Sequence, residues 1–244
     1  MMTQLIIVSL IGFAGMFVRG LTGFGSALVM TPLLLFFFDM QTSVVVINLV
    51  EIAAVASITI AARHDIDRQH LKILLPITVV GIGLGSYFLI SFNVQILKRI
   101  FGFITVAFAI RIVCNLWLSS SQRKKWSLSW GYLSGALGGL LGGIFGTPGP
   151  PITIYLENQI DSQKVLRATL LIYFLVLDII RIIVYGCSVI GSLDMLKLAA
   201  FMLPAALLGS YCGQFVEMKI NANLFRCSVA LLLIVTGILL AAGK

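Results

Sequence analysis

Gly20-Leu-Thr-Gly-Phe-Gly-Ser-Ala-Leu-Val-Met-Thr-Pro32 interrupts one long apolar run, and Gly142-Gly-Ile-Phe-Gly-Thr-Pro-Gly-Pro-Pro151 interrupts another about half a chain later. Glycine loses backbone entropy in a helix and proline lacks the N–H, so neither stretch continues one regular helix comfortably. In hydrocarbon, each freed backbone group needs a partner. Broken helices therefore persist in membranes only where protein or a watery cavity covers them. The two breaks predict a transport site, and the rest of the chain can be tested against that expectation.

Composition places the chain in a bilayer. Of 244 residues, 59% are apolar and 11% charged, with a mean hydropathy of +1.07, against about 25% charged residues in soluble proteins. The apolar runs are helix-length and lack the period-two alternation of an outer-membrane barrel, which predicts an all-α polytopic bundle. The net charge of +8 is scattered over short loops and forms no arm or face for nucleic acid; orientation by the positive-inside rule accounts for it. Cys114, Cys187, Cys212 and Cys227 have no CxxC or metal-ligand spacing and read as small buried hydrophobes. No metal or cofactor motif is present. The N-terminus, Met-Met-Thr-Gln, has no basic n-region and reads as retained structure.

The run from Leu5 to Phe38 would be about 51 Å long as one helix, against a hydrocarbon core of about 30 Å. Divided at the glycines, it becomes Leu5 to Val18 and Ser26 to Phe38, each too short to cross. The pieces then form either a re-entrant hairpin or short steep spans. Ordinary spans follow at Thr42 to Ala62, Leu71 to Ile90 and Ile96 to Leu118. The second half repeats the order: Leu128 to Leu141, the second break, Ile152 to Gln159, then Val165 to Tyr185, Met195 to Val216 and Leu224 to Ala242. Gly20 and Gly23 precede Gly143 and Gly146 by 123 positions, Asp39-Met-Gln41 precedes Asp161-Ser-Gln163 by 122, and Gly85-Ser-Tyr87 matches Gly209-Ser-Tyr211. These echoes predict two homologous repeats, residues 1–118 and 128–244, joined by a cytoplasmic linker over 119–127.

Loop charges discriminate between the arrangements. With eight crossings, the basic residues divide eight against six. With re-entrant breaks, Arg63, Arg68, Lys72, Arg123, Lys124, Lys125, Lys164, Arg167, Lys219 and Arg226 share one side, and only Lys98, Arg99, Lys197 and Lys244 lie opposite. That bias favours re-entry, inverted repeats and both termini outside the cell membrane.

Helices that start after a break present free N–H groups and the positive end of a dipole, so two converging starts suit an anion. Gly20, Thr22, Gly23, Gly25 and Ser26 form one candidate half-site, and Gly143, Gly146, Thr147, Pro148 and Gly149 the other. The plainer alternative is that the glycines only permit close helix packing. Arg19, directly before the first break, balances an anionic ligand, pairs with a carboxylate or snorkels to an interface. Glu51 and Asn48, three apart on one helix face, are the proton-coupling candidates; a structural ion pair of Glu51 with Arg111 is the alternative. Asp178 and Arg181, also three apart, suit a self-neutralising structural pair. His64 and His70 lie in a charged loop and read as solvated. A nucleophile turn at Gly23-Phe-Gly-Ser26 would require a positioned base, and no apolar run contains a His. An anion channel is the nearer rival, because re-entrant segments also build filters.

The two break motifs, the eight apolar segments and the Leu97-Lys-Arg-Ile-Phe-Gly102 stretch together resemble the sulfite exporter TauE/SafE family of membrane transporters. The resemblance implies transport of sulfite, sulfonates or other small organic anions. It implicates Gly20, Gly23, Gly25 and Pro32 in the first motif, and Gly143, Gly146, Thr147, Pro148 and Pro150 in the second. The expected partners are a small anion and the lipid bilayer, with no nucleic acid; a homo-oligomer is compatible with the sequence. The Pro-Gly-Pro-Pro run in the second motif departs from a Gly-rich pattern.

Overall fold

The computed structural model describes residues 2–62, 65–117, 125–188, 193–216 and 222–242. Most of the expected linker, together with Arg63, His64, Lys219 and Lys244, lies outside the described residues. Ten helices occur among those described: α1 (Met2–Thr22), α2 (Ser26–Leu34), α3 (Met40–Ala62), α4 (Arg68–Ser91), α5 (Val94–Trp117), α6 (Ser129–Phe145), α7 (Gly149–Gln159), α8 (Gln163–Ser188), α9 (Leu193–Val216) and α10 (Ala222–Ala241). The order long, short, long, long, long thus appears twice. Segments Gln4–Thr22, Arg68–Ser91, Gln163–Tyr185 and Leu193–Phe215 are long and apolar enough to cross a membrane. The protein is a multi-pass membrane protein.

Both breaks are shorter than the glycine spacing suggested. α1 stays helical through Arg19 and Gly20, so its 21 residues measure about 31 Å and suffice to cross. The division at Val18 therefore does not hold. The first break is confined to residues 23–25, where Gly23 (φ 84°) and Gly25 (φ 91°) adopt a conformation that L side chains resist. α6 likewise continues through Gly142 and Gly143 and ends at Gly146 (φ 72°).

After each break the chain folds back. A Cβ on Gly25 would lie 3.4 Å from Val18, and one on Gly15 would run into Met30, so α2 returns antiparallel along α1. Gly142 faces Pro148 and Gly138 faces Ile152, which lays α7 back along α6 in the same way. Ion pairs orient the two hairpins. Lys164 reaches Asp65 at 2.9 Å and Lys125 reaches Asp161 at 3.0 Å, placing these three loops at one end of the bundle. Eight simple crossings would put residues 65 and 164 at opposite ends. α3, about 35 Å long, connects that end to Asp39 at the other. The α1–α2 hairpin therefore opens at the end opposite the α6–α7 hairpin, and their tips meet inside.

Small residues allow the long helices to approach closely, as is usual in membranes. α4 packs on α6 through Gly81 and Gly85 against Gly139 and Gly143, and α9 packs on α1 through Gly209 and Gly213 against Phe13, Phe17 and Gly20. α5 and α10 meet at Gly102 and Gly237. Large apolar side chains cover the outside, among them Val80, Leu84 and Tyr87 on α4 and Leu208, Tyr211 and Phe215 on α9. A surface of that kind is stable in lipid. For the same reason Cys114, Cys212 and Cys227 are exposed on helix surfaces and are not buried as expected; the side chain of Cys187 is outside the described residues.

His70 also departs from expectation. It is buried in the first turn of α4, with Nδ1 2.9 Å from Asp67 Oδ2. Asp67 caps α4 by accepting hydrogen bonds from the Gln69 and His70 N–H groups at 3.0 and 3.2 Å. Partial burial pushes the Asp67 carboxyl up, but the hydrogen bonds from His70 and Gln69 outweigh it and hold the group below the usual aspartate value.

Candidate functional site

The hairpin tips converge on a buried pocket lined by Ser26 and Gly25 from the first break and by Gly146, Thr147, Pro148 and Gly149 from the second. The space between these residues amounts to about 290 Å³ with its open mouth included, of which about 20 Å³ takes the centre of a water-sized sphere, room for about one water with the charged side chains closed. The charged wall comes from three helices: Arg19 on α1, Glu51 on α3, and Asp178 with Arg181 on α8. All four residues are at most 3% exposed.

These side chains form a closed ring of alternating charge. Arg19 Nη1 lies 3.0 Å from Glu51 Oε1, and Arg19 Nη2 lies 3.3 Å from Asp178 Oδ2. Arg181 Nη2 lies 3.3 Å from Glu51 Oε2 and also pairs with Asp178. Each guanidinium thus bridges both carboxylates and the ring is formally neutral, which is how ionised groups persist at membrane depth. Arg181 further donates from Nη1 to the Gly146 carbonyl at 2.7 Å, satisfying an acceptor that the break frees. Ser26 Oγ donates to Glu51 Oε1. Asn48 Nδ2 donates to the Asp178 carbonyl at 3.2 Å. The Arg19 guanidinium also sits 5.8 Å from the Phe174 ring centroid, within cation–π range.

The ring leaves donors unused. Arg19 Nε, Arg181 Nε and Thr147 Oγ1 are buried without a hydrogen-bond partner among the described residues. Buried polar groups are normally satisfied, so unused donors beside a pocket mark where an acceptor belongs.

Not every sequence candidate faces the pocket. Gly20 and Gly143 sit on helix–helix contacts, where a Cβ would meet the Ser210 and Ile82 carbonyls at 2.5 Å. Thr22 ties the first break together: its hydroxyl lies 2.9 Å from the Val18 carbonyl and 2.6 Å from the Phe24 carbonyl, either of which accepts its one hydrogen. Gly23 faces Arg167, whose guanidinium donates to the Gly20 carbonyl. Thr22 and Gly23 shape the first break, and Gly20 and Gly143 the helix contacts beside the two breaks. Arg111 does not pair with Glu51: α5 packs on α10 and not on α3, and Arg111 reaches Glu157 on α7 at 3.2 Å. Asp178 and Arg181 do pair with each other, but they also complete the ring with Arg19 and Glu51.

The sequence reading omitted three contributors. Phe24 and Phe174 wall the pocket, and Tyr185 reaches the Gly142 and Gly143 carbonyls at 3.2 and 3.0 Å. Aromatic residues abound in apolar runs, and nothing in their spacing distinguishes these from residues facing lipid. Phe24 alone carried a signal, by lying inside the first break.

A polytopic helical bundle with two helix breaks meeting at a buried charged pocket has the architecture of a membrane transporter. The chain matches the family described as Sulfite exporter TauE/SafE over residues 8–240, and it belongs to that family of membrane transporters; it is not an enzyme. Neither the curated proteins nor the solved structures contain a match.

Proposed function

We propose that this protein exports a small oxyanion, sulfite or a sulfonate or a related organic anion, with a proton as the coupled species and Glu51 as its carrier. The observation that carries this reading is the meeting of both helix breaks with the Arg19–Glu51–Arg181–Asp178 ring at one pocket. The family's description supplies export and the sulfur oxyanion. A neutral ring accepts an anion poorly, because the incoming charge is left unbalanced in a low dielectric. A proton on Glu51 changes that balance: the ring becomes formally +1, and a monoanion restores neutrality. Proton and anion then load together and cross in the same direction without net charge, so export runs where the outward anion gradient exceeds the inward proton gradient.

Alternating access follows from treating the two halves as inverted repeats that rock around the hairpin tips. The one-sided clustering of loop cations assigns the end holding residues 65, 125 and 164 to the cytoplasm, with both termini outside. Purified protein in proteoliposomes with an imposed pH gradient tests the coupling. Uphill accumulation of sulfite or a sulfonate should require the gradient; flux that ignores it removes the proton from the mechanism. In Glu51→Gln the ring is +1 at every pH, so downhill flux should persist while uphill accumulation disappears. A channel would show downhill flux only, in both proteins.

A further inference from the structure

With its charged side chains closed, the pocket has room for about one water, so an anion enters only when a wall moves aside. The doubled order of helices sets α2 beside α10 as the counterpart of α7 beside α5. These two walls are packed unequally. α2 lies on α10, with Leu28, Ala230 and Leu233 buried between them, and every α2 residue except Leu33 is buried. α7 packs on α6 and α8 and, among the described residues, makes no comparable contact with α5.

The face that α7 turns to α5 is correspondingly open. Pro151, Ile154 and Glu157 recur at helical spacing on that face and are all half-buried, whereas Ile152, Tyr155 and Leu156 on the other faces are fully buried. Three layers fill the seam between the pocket and the end that holds residues 125 and 164. Innermost is Phe24, which walls the pocket and stands edge-on to Phe108 of α5, with ring centroids 6.3 Å apart. Phe24 lies between Gly23 and Gly25, both at positive φ, so the backbone on either side of it reaches conformations closed to other residues. About one turn further along, Ile112 of α5 and Ile154 of α7 pack against the Phe108 cluster. Outermost, Arg111 Nη2 lies 3.2 Å from Glu157 Oε2, the two side chains being 26% and 32% exposed.

We propose that the route between the pocket and the cytoplasm runs along the α5–α7 seam, with Phe24 as its inner gate and the Arg111–Glu157 pair as its outer latch. The proposal rests on the pocket being the transported anion's site. Parting α5 from α7 breaks one ion pair and a thin apolar contact, whereas parting α2 from α10 uncovers packed core. An ion pair this exposed holds weakly, and an apolar waist excludes water and ions until it widens. Once the latch opens, Arg111 presents an unbalanced cation to an anion at the mouth of the seam.

Cysteine accessibility in inside-out and right-side-out membrane vesicles tests the route without a choice of substrate. In a background without the native cysteines, Ile154→Cys should react with a membrane-impermeant thiol reagent from the cytoplasmic face only, about tenfold or more faster than Thr153→Cys on the buried side of α7. Adding Glu157→Gln should speed the Ile154→Cys reaction about threefold. Thr147→Cys, behind Phe24 in the pocket, should react faster once Phe24→Ala is added. Thr153→Cys should stay slow in every variant, because only general loosening of α7 would expose it. Reaction of Ile154→Cys from the outer face, equal rates at 153 and 154, or a rate unmoved by Glu157→Gln or by Phe24→Ala would overturn the route while leaving transport at the pocket intact. Absence of any anion flux through the wild-type protein would overturn the transport reading instead.

Discussion

At the scale of single residues, the ring is where chemistry and stability coincide. Removing one member leaves an opposite charge buried and uncompensated, which typically costs about 3–5 kcal/mol. Arg19→Met should therefore lower the melting temperature sharply and abolish flux. The double variant Arg19→Met/Glu51→Gln removes one charge of each sign and should recover much of the stability but none of the coupled transport. Equal melting temperatures for wild type and Arg19→Met would show that the ring does not hold the tips together. Asp67 gives a separate, pH-dependent case outside the spans. Its carboxyl is held below the unfolded value, so its contribution is present above the ordinary aspartate range and lost as pH falls through the folded value. Asp67→Ala should cost about 1 kcal/mol as a lost helix cap. That difference should vanish at acid pH; a difference that persists there would assign the effect to packing.

At the scale of elements, two kinds of glycine behave differently although the sequence presents them alike. Gly25 has room for a methyl group, with Val18 at 3.4 Å, but its φ of 91° does not suit one. Gly25→Ala should cost about 1–2 kcal/mol of backbone strain. Gly85 has an ordinary helical conformation but no room, since a Cβ would lie 2.4 Å from the Leu140 carbonyl. Gly85→Ala should force α4 from α6 and cost more than Gly25→Ala, as ranked by thermal unfolding in detergent. The reverse order would mean that the break, and not the helix contact, limits stability. Both motifs were legible as Gly-rich stretches. Which of their glycines bend the chain, and which bring helices together, was not, because either role requires only the absence of a side chain.

At the scale of the whole molecule, the fold-back of both broken runs is the decision on which everything else depends. Single cysteines introduced at Ser127 and at Ser162, both exposed, in a background without the native cysteines, should both be labelled from the cytoplasmic side only. Labelling of the pair from opposite sides would return the chain to simple crossings. The bias of loop cations already favoured this arrangement, and the Lys164–Asp65 and Lys125–Asp161 pairs bring the same loops together. The internal echo at offsets of 122 to 124 positions anticipated the doubled order of helices. It carried no information about Arg111, whose partner on α7 lies outside any repeat relation.

Composition and periodicity by themselves determined the class of protein, the helix count within each half, and the two breaks, because length, hydropathy and Gly/Pro content act locally along the chain. They also marked Arg19, Glu51, Asp178 and Arg181 as candidates, since any charge within an apolar run must be paired or functional. Only the tertiary structure joined those four into one neutral ring. Pairing depends on which helix faces which: Glu51 meets Asp178 and Arg181 where α3 packs on α8, and Arg19 reaches them from the end of α1.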